Sequence, residues 1–236
     1  MGSLPSYFKE FLAEIEPSAS YKDDQKNGHT TLRQRLKDDA TFKLVHVNTF
    51  LQGSYRRHTA IHPGKDVDIV VVTSIDPDGT SAAAANAQLG DCLKRYYKNV
   101  TPQSRSWGVT LSYVVMDVVL AASRHIKKDA SFAETLRKAE SLDASSWTSQ
   151  PLLIPDRDLG KWVETHPKKQ LAWTTELNAT CGNYFVPLVK MFKWWRKITY
   201  ETPKYPKGYI LERLAGECVD TSARDHGEGF VKLLEN

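Results

Sequence analysis

Residues 51–72 read LQGSYRRHTAIHPGKDVDIVVV: a Gly-Ser turn, a short polar segment and an Asp-x-Asp pair that leads into an apolar run. Successive side chains of a strand point to opposite faces, so Asp66 and Asp68 are predicted to share one face. Val67 and Ile69 then face a core. Two neighbouring carboxylates repel each other, and a divalent cation such as Mg²⁺, which binds carboxylates together with substrate phosphates, removes that conflict. The stretch therefore predicts a metal site at the start of a strand.

The Gly-Ser turn at Gly53 and Ser54 indicates a phosphate site beside the aspartates. Its backbone N–H groups and its hydroxyl can bind phosphate oxygens. Asp66 follows Ser54 by twelve positions, a spacing similar to that of the nucleotidyltransferase superfamily. The alternative is a solvated Asp-x-Asp at the end of a strand. The Gly-Ser turn upstream and the Val-rich run downstream favour the metal site.

Composition limits the classes of protein to which the chain can belong. Its 236 residues are 41% hydrophobic and 25% charged, which fits one large globular domain or two small lobes. No apolar run approaches the roughly 18 residues of a membrane span, and the start lacks the apolar segment of a signal peptide. The three cysteines form no CxxC pair, so a reducing cytoplasm fits. The net charge of +4 favours anionic substrates but is too low to argue for long nucleic acid.

Apolar periodicity predicts alternating helices and strands in the first half of the chain. The predicted elements are helices at 4–16 and 20–39, strands at 42–51 and 68–75, and a helix at 81–97. Residues 107–123 are predicted to form one long strand that contains Asp117. An ionised carboxylate among valines is costly to bury unless it is paired or binds metal. Asp117 is therefore either a third metal-binding carboxylate or an aspartate that is salt-bridged to Arg124 or caps a neighbouring element.

The second half of the chain is predicted to be mostly helical. Helices are expected at 130–140, 184–200 and 209–217, with a further helical part beginning at 174–179 and a turn-rich connector at 152–167. In the helix at 184–200, Lys190, Lys193 and Lys197 form one narrow stripe, and most other positions are apolar. The stripe is either a solvated face or a row of cations for phosphates.

The order of these elements predicts an α+β fold. A nucleotidyltransferase palm, a mixed sheet with helices, is expected at residues 1–165 and a helical lobe at 166–236. The active site is expected in the cleft between them.

The chain resembles bacterial cyclic-oligonucleotide synthases of the cyclic GMP-AMP synthase and oligoadenylate synthase type, the signalling nucleotidyltransferases of anti-phage defence. The resemblance covers residues 4–215. The stretches that carry it are SYFKEFL at 6–12, GSY at 53–55, TAI at 59–61, DVDIVVV at 66–72, Asp117, LVKMFKWW at 188–195 and GYILE at 208–212. The chain departs from the family at Gly208, where serine is common, and it ends without the further elements that members usually have.

The resemblance implies a two-metal reaction. Two Mg²⁺ ions, or Mn²⁺, would be held by Asp66, Asp68 and Asp117, with Asp117 serving the acceptor 3′- or 2′-hydroxyl. The nucleotide-binding residues would be Gly53, Ser54, Lys190, Lys193 and Tyr209, of which the first four hold the β and γ phosphates. The product would be a cyclic di- or trinucleotide second messenger, with release of pyrophosphate.

The sequence leaves several alternatives open. The chain could instead be a nucleotidyltransferase that acts on RNA or a small acceptor, or a catalytically inactive nucleotide-binding scaffold. The bases, the ring size, the linkage and the activating signal are not determined. We expect a cytoplasmic monomer that binds nucleoside triphosphates and has no membrane partner. A regulatory partner protein is compatible with this expectation.

Overall fold

The computed structural model describes residues 5–64, 66–126, 131, 134, 137, 151–200, 205–223 and 225–235. Their contacts divide the chain into two compact units. The helical unit comprises Met1–Ala19, Ser54–Lys65 and Trp173–Asn236, and the sheet unit comprises Ser20–Gly53 and Asp66–Ala172. The boundary predicted after residue 165 between a palm and a helical lobe stays a prediction.

The described residues alternate between helices and strands in the first half of the chain and are helical near its end. The helices are α1 (Pro5–Ile15), α2 (Ala19–Asp38), α3 (Gly53–Arg56), α4 (Ala82–Tyr96), α5 (Pro167–Thr180), α6 (Phe185–Thr199), α7 (Gly208–Cys218) and α8 (His226–Glu235). The strands are β1 (His46–Gln52), β2 (Val67–Thr73), β3 (Val100–Pro102), β4 (Trp107–Thr110), β5 (Val115–Ala121), β6 (Leu152–Asp156) and β7 (Lys161–Thr165). The predicted α+β class is confirmed.

A mixed five-stranded sheet with the strand order β1-β2-β5-β4-β3 forms the centre of the sheet unit. Strands β2 and β5 are parallel, and the other neighbouring pairs are antiparallel. Because β2 lies between two strands and carries β-branched residues, it is buried along nearly its whole length. Asp68 is its one residue that is only partly buried. The sheet thus places this carboxylate at the end of its most buried strand.

The single long strand predicted at 107–123 is wrong. The chain reverses at residues 111–114, where the Leu111 N–H donates to the Val114 carbonyl, and β4 pairs antiparallel with β5. The apolar pattern continues through both strands, so periodicity did not reveal the reversal. The hairpin brings Gly108 opposite Asp117 in the sheet.

The turn-rich connector predicted at 152–167 is also wrong in part, because most of it forms the antiparallel pair β6 and β7. Backbone hydrogen bonds between Ala122 and Leu153 join this pair to the end of β5. Leu152, Leu153 and Ile154 are buried, which explains why a short polar-flanked segment is a strand. Most of the helix predicted at 130–140 lies outside the described residues.

The helical unit is built around α6, which confirms the helix predicted at 184–200. Its core consists of Ile15, Cys181, Phe185, Leu188, Val189, Met191, Ala215 and Leu233. Pro187 lies in the first turn of α6, where its missing N–H removes no helical hydrogen bond. In the part of the chain that the structure describes, no helix combines the length and apolar character that crossing a bilayer requires.

Candidate active site

Three aspartates meet at one end of the central strands of the sheet unit. Asp68 on β2 and Asp117 on β5 are direct neighbours in the parallel register. Asp66 immediately precedes β2, and its carboxyl group is hydrogen-bonded to that of Asp117. Val67 and Ile69 are fully buried on the other face, as the alternation predicted. The sheet therefore brings together the three carboxyl groups that the sequence singled out.

The electrostatics of this carboxylate cluster, defined as Asp66, Asp68 and Asp117, are unfavourable to three negative charges. Burial, the hydrogen bond with Asp66 and the charges of Asp66 and Asp68 raise the pKa of Asp117 to about 7. The side chain of Gln103 opposes this shift, because its Nε2 donates to Asp117 Oδ1 at 2.9 Å and favours the ionised carboxylate. Without a cation, the cluster retains a proton at a pH where isolated aspartates are ionised.

The donor set of the carboxylate cluster is chemically suited to a hard divalent cation. It offers carboxylate oxygens only, and Mg²⁺ prefers such oxygens with water and phosphate completing its shell. A cation would offset the repulsion between the carboxylates, which favours a shared proton in the hydrogen bond between Asp66 and Asp117. Within the described ranges, no group of three His, Cys, Asp or Glu side chains already has the arrangement of a metal site. The residues therefore fit the ion by their chemistry.

Gly53 closes one side of the carboxylate cluster. A Cβ at this position would lie 1.7 Å from Asp68 Oδ2, and the backbone has φ +69°, a conformation that favours glycine. The predicted Gly-Ser turn is the single helical turn α3, and Ser54 accepts a hydrogen bond from the Thr59 N–H at its carbonyl. Gly53 is thus required for its close approach to Asp68 as well as for its backbone conformation.

Two of the three lysines of α6, Lys190 and Lys193, do not form a solvated face. Lys190 and Lys193 are 8% and 6% exposed. Lys190 forms an ion pair with Glu16, and Lys193 donates to the Thr59 carbonyl and hydroxyl at 3.0 Å each. The structure therefore excludes a solvated face for these two residues, and their contact with phosphates stays a prediction.

A buried ion cluster in the helical unit escaped sequence reasoning. Glu212 on α7 is fully buried, accepts from Arg57 Nε and Thr174 Oγ1 at 2.8 Å each, and lies 3.6 Å from Lys193 Nζ. Thr59 Oγ1 also donates to it at 3.2 Å. Arg57 and Glu212 lie 155 positions apart, so no local pattern could pair them. These five residues form what we call the Glu212 cluster.

The Glu212 cluster holds its carboxylate in the ionised form. Burial alone would raise the pKa of Glu212, but the charges of Arg57 and Lys193 and the hydrogen bonds from Arg57 and Thr174 outweigh it, so that the pKa is lowered. Tyr209, one turn before Glu212, is 40% exposed, and the Arg57 guanidinium lies 5.8 Å from the centre of its ring. The cluster thus links the segment after the Gly-Ser turn to α6 and α7 within the helical unit.

Comparison with known proteins places this geometry in a family. Residues 2–138 match the Second Messenger Oligonucleotide or Dinucleotide Synthetase domain. The cyclic AMP-AMP-GMP synthase of Enterobacter hormaechei subsp. hoffmannii (strain UCI 50) is 38% identical, over 98% of this chain and 72% of that protein. The cyclic AMP-AMP-AMP synthase of Acinetobacter sp. (strain ATCC 27244 / 9458) is 34% identical, over 97% of this chain and 62% of that protein.

A solved structure shows the same fold. The E. coli MS115-1 CdnC:HORMA-deltaN complex contains a chain that aligns with a TM-score of 0.64 and 18% identity, over 98% of this chain and 67% of that chain. At this identity the likeness concerns the fold alone, and it agrees with the mixed sheet and helices described above. The family model matches more than half of the chain, and the 38% relative spans nearly all of it. The resemblance seen in the sequence is therefore confirmed: the chain belongs to the second messenger oligonucleotide or dinucleotide synthetases, nucleotidyltransferases that make cyclic oligonucleotides.

Proposed function

We propose that this chain joins nucleoside triphosphates into a cyclic trinucleotide second messenger and releases pyrophosphate, in a reaction that depends on divalent metal at Asp66, Asp68 and Asp117. The observation that carries the proposal is the meeting of these three carboxyl groups on and beside two parallel strands. Two relatives that make a ring of three nucleotides by their names, a cyclic AMP-AMP-GMP synthase and a cyclic AMP-AMP-AMP synthase, support a trinucleotide over a dinucleotide.

The three aspartates divide the work. When bound, two Mg²⁺ or Mn²⁺ ions supply charge neutralisation on the reacting oxygens. Asp66 and Asp68 would hold the metal at the donor triphosphate, and Asp117 would orient the acceptor 3′- or 2′-hydroxyl. The hydroxyl oxygen forms a bond to the α-phosphorus while the bond to pyrophosphate breaks, so the contribution of the protein is positioning. A final transfer from the 5′ triphosphate of the linear product to its own terminal hydroxyl closes the ring.

The nucleotide phosphates are proposed to bind Gly53, Ser54, Lys190 and Lys193, with Tyr209 contributing to nucleotide binding. The burial of both lysines supports this, because a desolvated ammonium group makes a stronger charge-assisted hydrogen bond than a solvated one. Each lysine already has protein partners, Glu16 for Lys190 and the Glu212 cluster for Lys193. Phosphate would therefore join existing contacts, and the protein groups keep each ammonium in place beforehand.

The biological setting is proposed from the family. We propose that the product is a signal in anti-phage defence and that the protein acts in the cytoplasm. A related fold has been solved in a complex with a HORMA protein, which supports a regulatory protein partner here as well.

Product analysis tests the proposed function. The protein is incubated with labelled ATP and GTP and with Mg²⁺, and the mixture is then treated with phosphatase. The masses of the resistant products are measured by mass spectrometry. Resistant material with the mass of a cyclic trinucleotide supports the proposal, and a cyclic dinucleotide corrects its ring size. Products whose terminal phosphate is removed indicate a linear transferase, and the absence of turnover indicates a scaffold. EDTA serves as the metal control.

A further inference from the structure

Gln103 is a contact of the carboxylate cluster to which no role has been assigned. It lies in the connection between β3 and β4, and its Nε2 donates to Asp117 Oδ1 at 2.9 Å. Its Oε1 accepts from the Ser106 hydroxyl at 2.6 Å. Because the ionised Asp117 carboxylate only accepts, the NH₂ end of the amide faces Asp117, and the serine hydroxyl donates to the other end. The amide is therefore fixed at both ends in the orientation that serves the carboxylate.

Gly108 leaves the space through which Gln103 reaches Asp117. Gly108 lies directly opposite Asp117 in the antiparallel register of β4 and β5. A Cβ at this position would lie 2.7 Å from Gln103 Nε2 and 3.0 Å from Thr101 Oγ1. Glycine within a strand often marks such a close approach. The nearest atom is the far end of a flexible side chain, so an alanine would displace the amide and leave the strands in place.

Arg157 holds the connection that carries Gln103. Its backbone N–H donates to the Ser104 carbonyl at 2.8 Å, and its guanidinium donates to the Ser106 carbonyl at 2.7 Å and to the Gln103 carbonyl. The same guanidinium lies 4.3 Å from the centre of the Trp107 ring. The Gln103 N–H also donates to the Ser106 carbonyl, which closes the turn. The connection is therefore anchored before any substrate arrives.

We propose that Gln103 is a positioning residue that orients the Asp117 carboxylate for the acceptor hydroxyl, and that Gly108 is glycine to make room for it. This inference rests on the proposed role of Asp117. The amide acts through Asp117 and does not touch substrate. Losing a partner that orients a metal-binding side chain typically costs roughly 10- to 100-fold in activity or metal affinity.

Steady-state kinetics separate this role from nucleotide binding. Gln103→Leu keeps the size of the side chain but removes its hydrogen bonds, and we expect kcat to fall roughly 10- to 100-fold while KM for the nucleotides changes little. Gly108→Ala should lower kcat in the same way. The double variant should be no slower than Gln103→Leu, because both substitutions remove the same contact between Gln103 and Asp117. Thr101→Val is the matched control, because Thr101 lies beside Gly108 in the sheet and its hydroxyl makes only a 3.5 Å contact to the Gly108 carbonyl.

A second measurement does not need turnover. The thermal unfolding midpoint of the metal-free protein is measured for Gln103→Leu, Asp117→Ala and the double variant. Because Asp117→Ala removes the oxygen that accepts from the Gln103 amide, Gln103→Leu should lower the midpoint less in the Asp117→Ala background than in the wild type. Equal shifts in the two backgrounds would show that the contact does not form, which overturns the inference.

The outcomes distinguish this inference from the proposed function. If the wild type makes no cyclic product, the proposed function fails, and the unfolding experiment still decides whether Gln103 holds Asp117. An active wild type with a Gln103→Leu variant of unchanged kcat overturns the inference alone. So does a raised KM at unchanged kcat, or a further large loss when Gly108→Ala is added to Gln103→Leu.

Discussion

Two acidic side chains, Asp117 in the sheet unit and Glu212 in the helical unit, respond to burial in opposite ways. Asp117 is half-buried beside Asp66 and Asp68, and its pKa is raised to about 7. Glu212 is fully buried, yet its pKa is lowered, because Arg57 and Lys193 flank it. Burial opposes ionisation at both sites and is the largest single influence at each. The signs of the neighbouring charges, more than the depth of burial, decide the outcome.

The difference separates a ligand site from a structural contact. The charge of Glu212 is compensated by cations of the same chain, so its cluster is complete when the protein has folded. The carboxylate cluster contains like charges that share a proton, and a bound cation would compensate them. Strongly perturbed acids are candidates for function when their partners do not compensate them. By the same reasoning, the Glu212 cluster stabilises the folded protein.

The largest expected effect is the loss of activity in Asp68→Asn. The substitution removes a charge that the proposed metal requires, and we expect product formation to fall at least about a thousandfold, roughly 4 kcal/mol of transition-state stabilisation. The free energy of unfolding should stay the same or rise slightly, since one repulsive charge is gone. Product formation is measured with labelled nucleotides and folding with a urea titration. Asp91→Asn, at an exposed position of α4, is the control, and near-normal turnover in Asp68→Asn would remove Asp68 from the metal site.

The second prediction is that a substitution at Glu212 lowers the stability of the protein. Glu212→Gln leaves Arg57 and Lys193 buried without their counter-charge, and breaking a buried ion pair in this way costs about 3 kcal/mol or more. The urea midpoint of unfolding should fall accordingly. Glu217→Gln is the matched control on the same helix, because Glu217 pairs with Arg213 at the surface and such pairs contribute less than about 1 kcal/mol. Equal costs in the two variants would contradict the stability role of the Glu212 cluster.

The sequence predicted those parts of the carboxylate cluster that depend on local pattern. The two-residue alternation of β2 placed Asp66 and Asp68 opposite a buried face, and an aspartate among valines singled out Asp117. Contacts that join distant positions left no such signal, as for Arg57 with Glu212, 155 positions apart. Gln103 is 14 positions from Asp117, but their contact depends on the hairpin between β4 and β5, which the continuous apolar pattern concealed.

The third prediction concerns Lys190 and Lys193 of α6. A charge-assisted contact to phosphate is worth about 1.5 to 3 kcal/mol, or roughly 10- to 100-fold in affinity. We expect Lys190→Ala and Lys193→Ala to weaken binding of the nucleoside triphosphate by this factor and to change binding of the monophosphate little. Lys197→Ala, whose ammonium donates to the His62 carbonyl, should have a smaller effect.

Equilibrium titration with a fluorescent triphosphate and with the matching monophosphate measures both affinities. A urea titration of each variant is needed beside it, because Lys193→Ala also removes a cation from the Glu212 cluster. Wild-type affinity for both ligands in both variants would assign the two lysines a structural role only. Loss of stability in Lys193→Ala without loss of triphosphate affinity would place Lys193 wholly in the Glu212 cluster.

The smallest expected effect is a pH dependence that isolates Glu212. An unfolded glutamate has a pKa of about 4.3, and the folded pKa is lower because Arg57 and Lys193, with hydrogen bonds from Arg57 and Thr174, outweigh burial. A lowered folded pKa gives stability that is fully present above the unfolded pKa and is lost as the pH falls through the folded pKa. The difference in unfolding free energy between wild type and Glu212→Gln should therefore be constant near neutral pH and shrink below about pH 4.

Urea titrations at several pH values measure this difference, and acid effects from other carboxylates cancel because both proteins share them. Glu217→Gln should show a difference from wild type that stays small throughout, whereas a Glu212→Gln difference that grows on acidification would mean that burial prevails and that the folded pKa is raised.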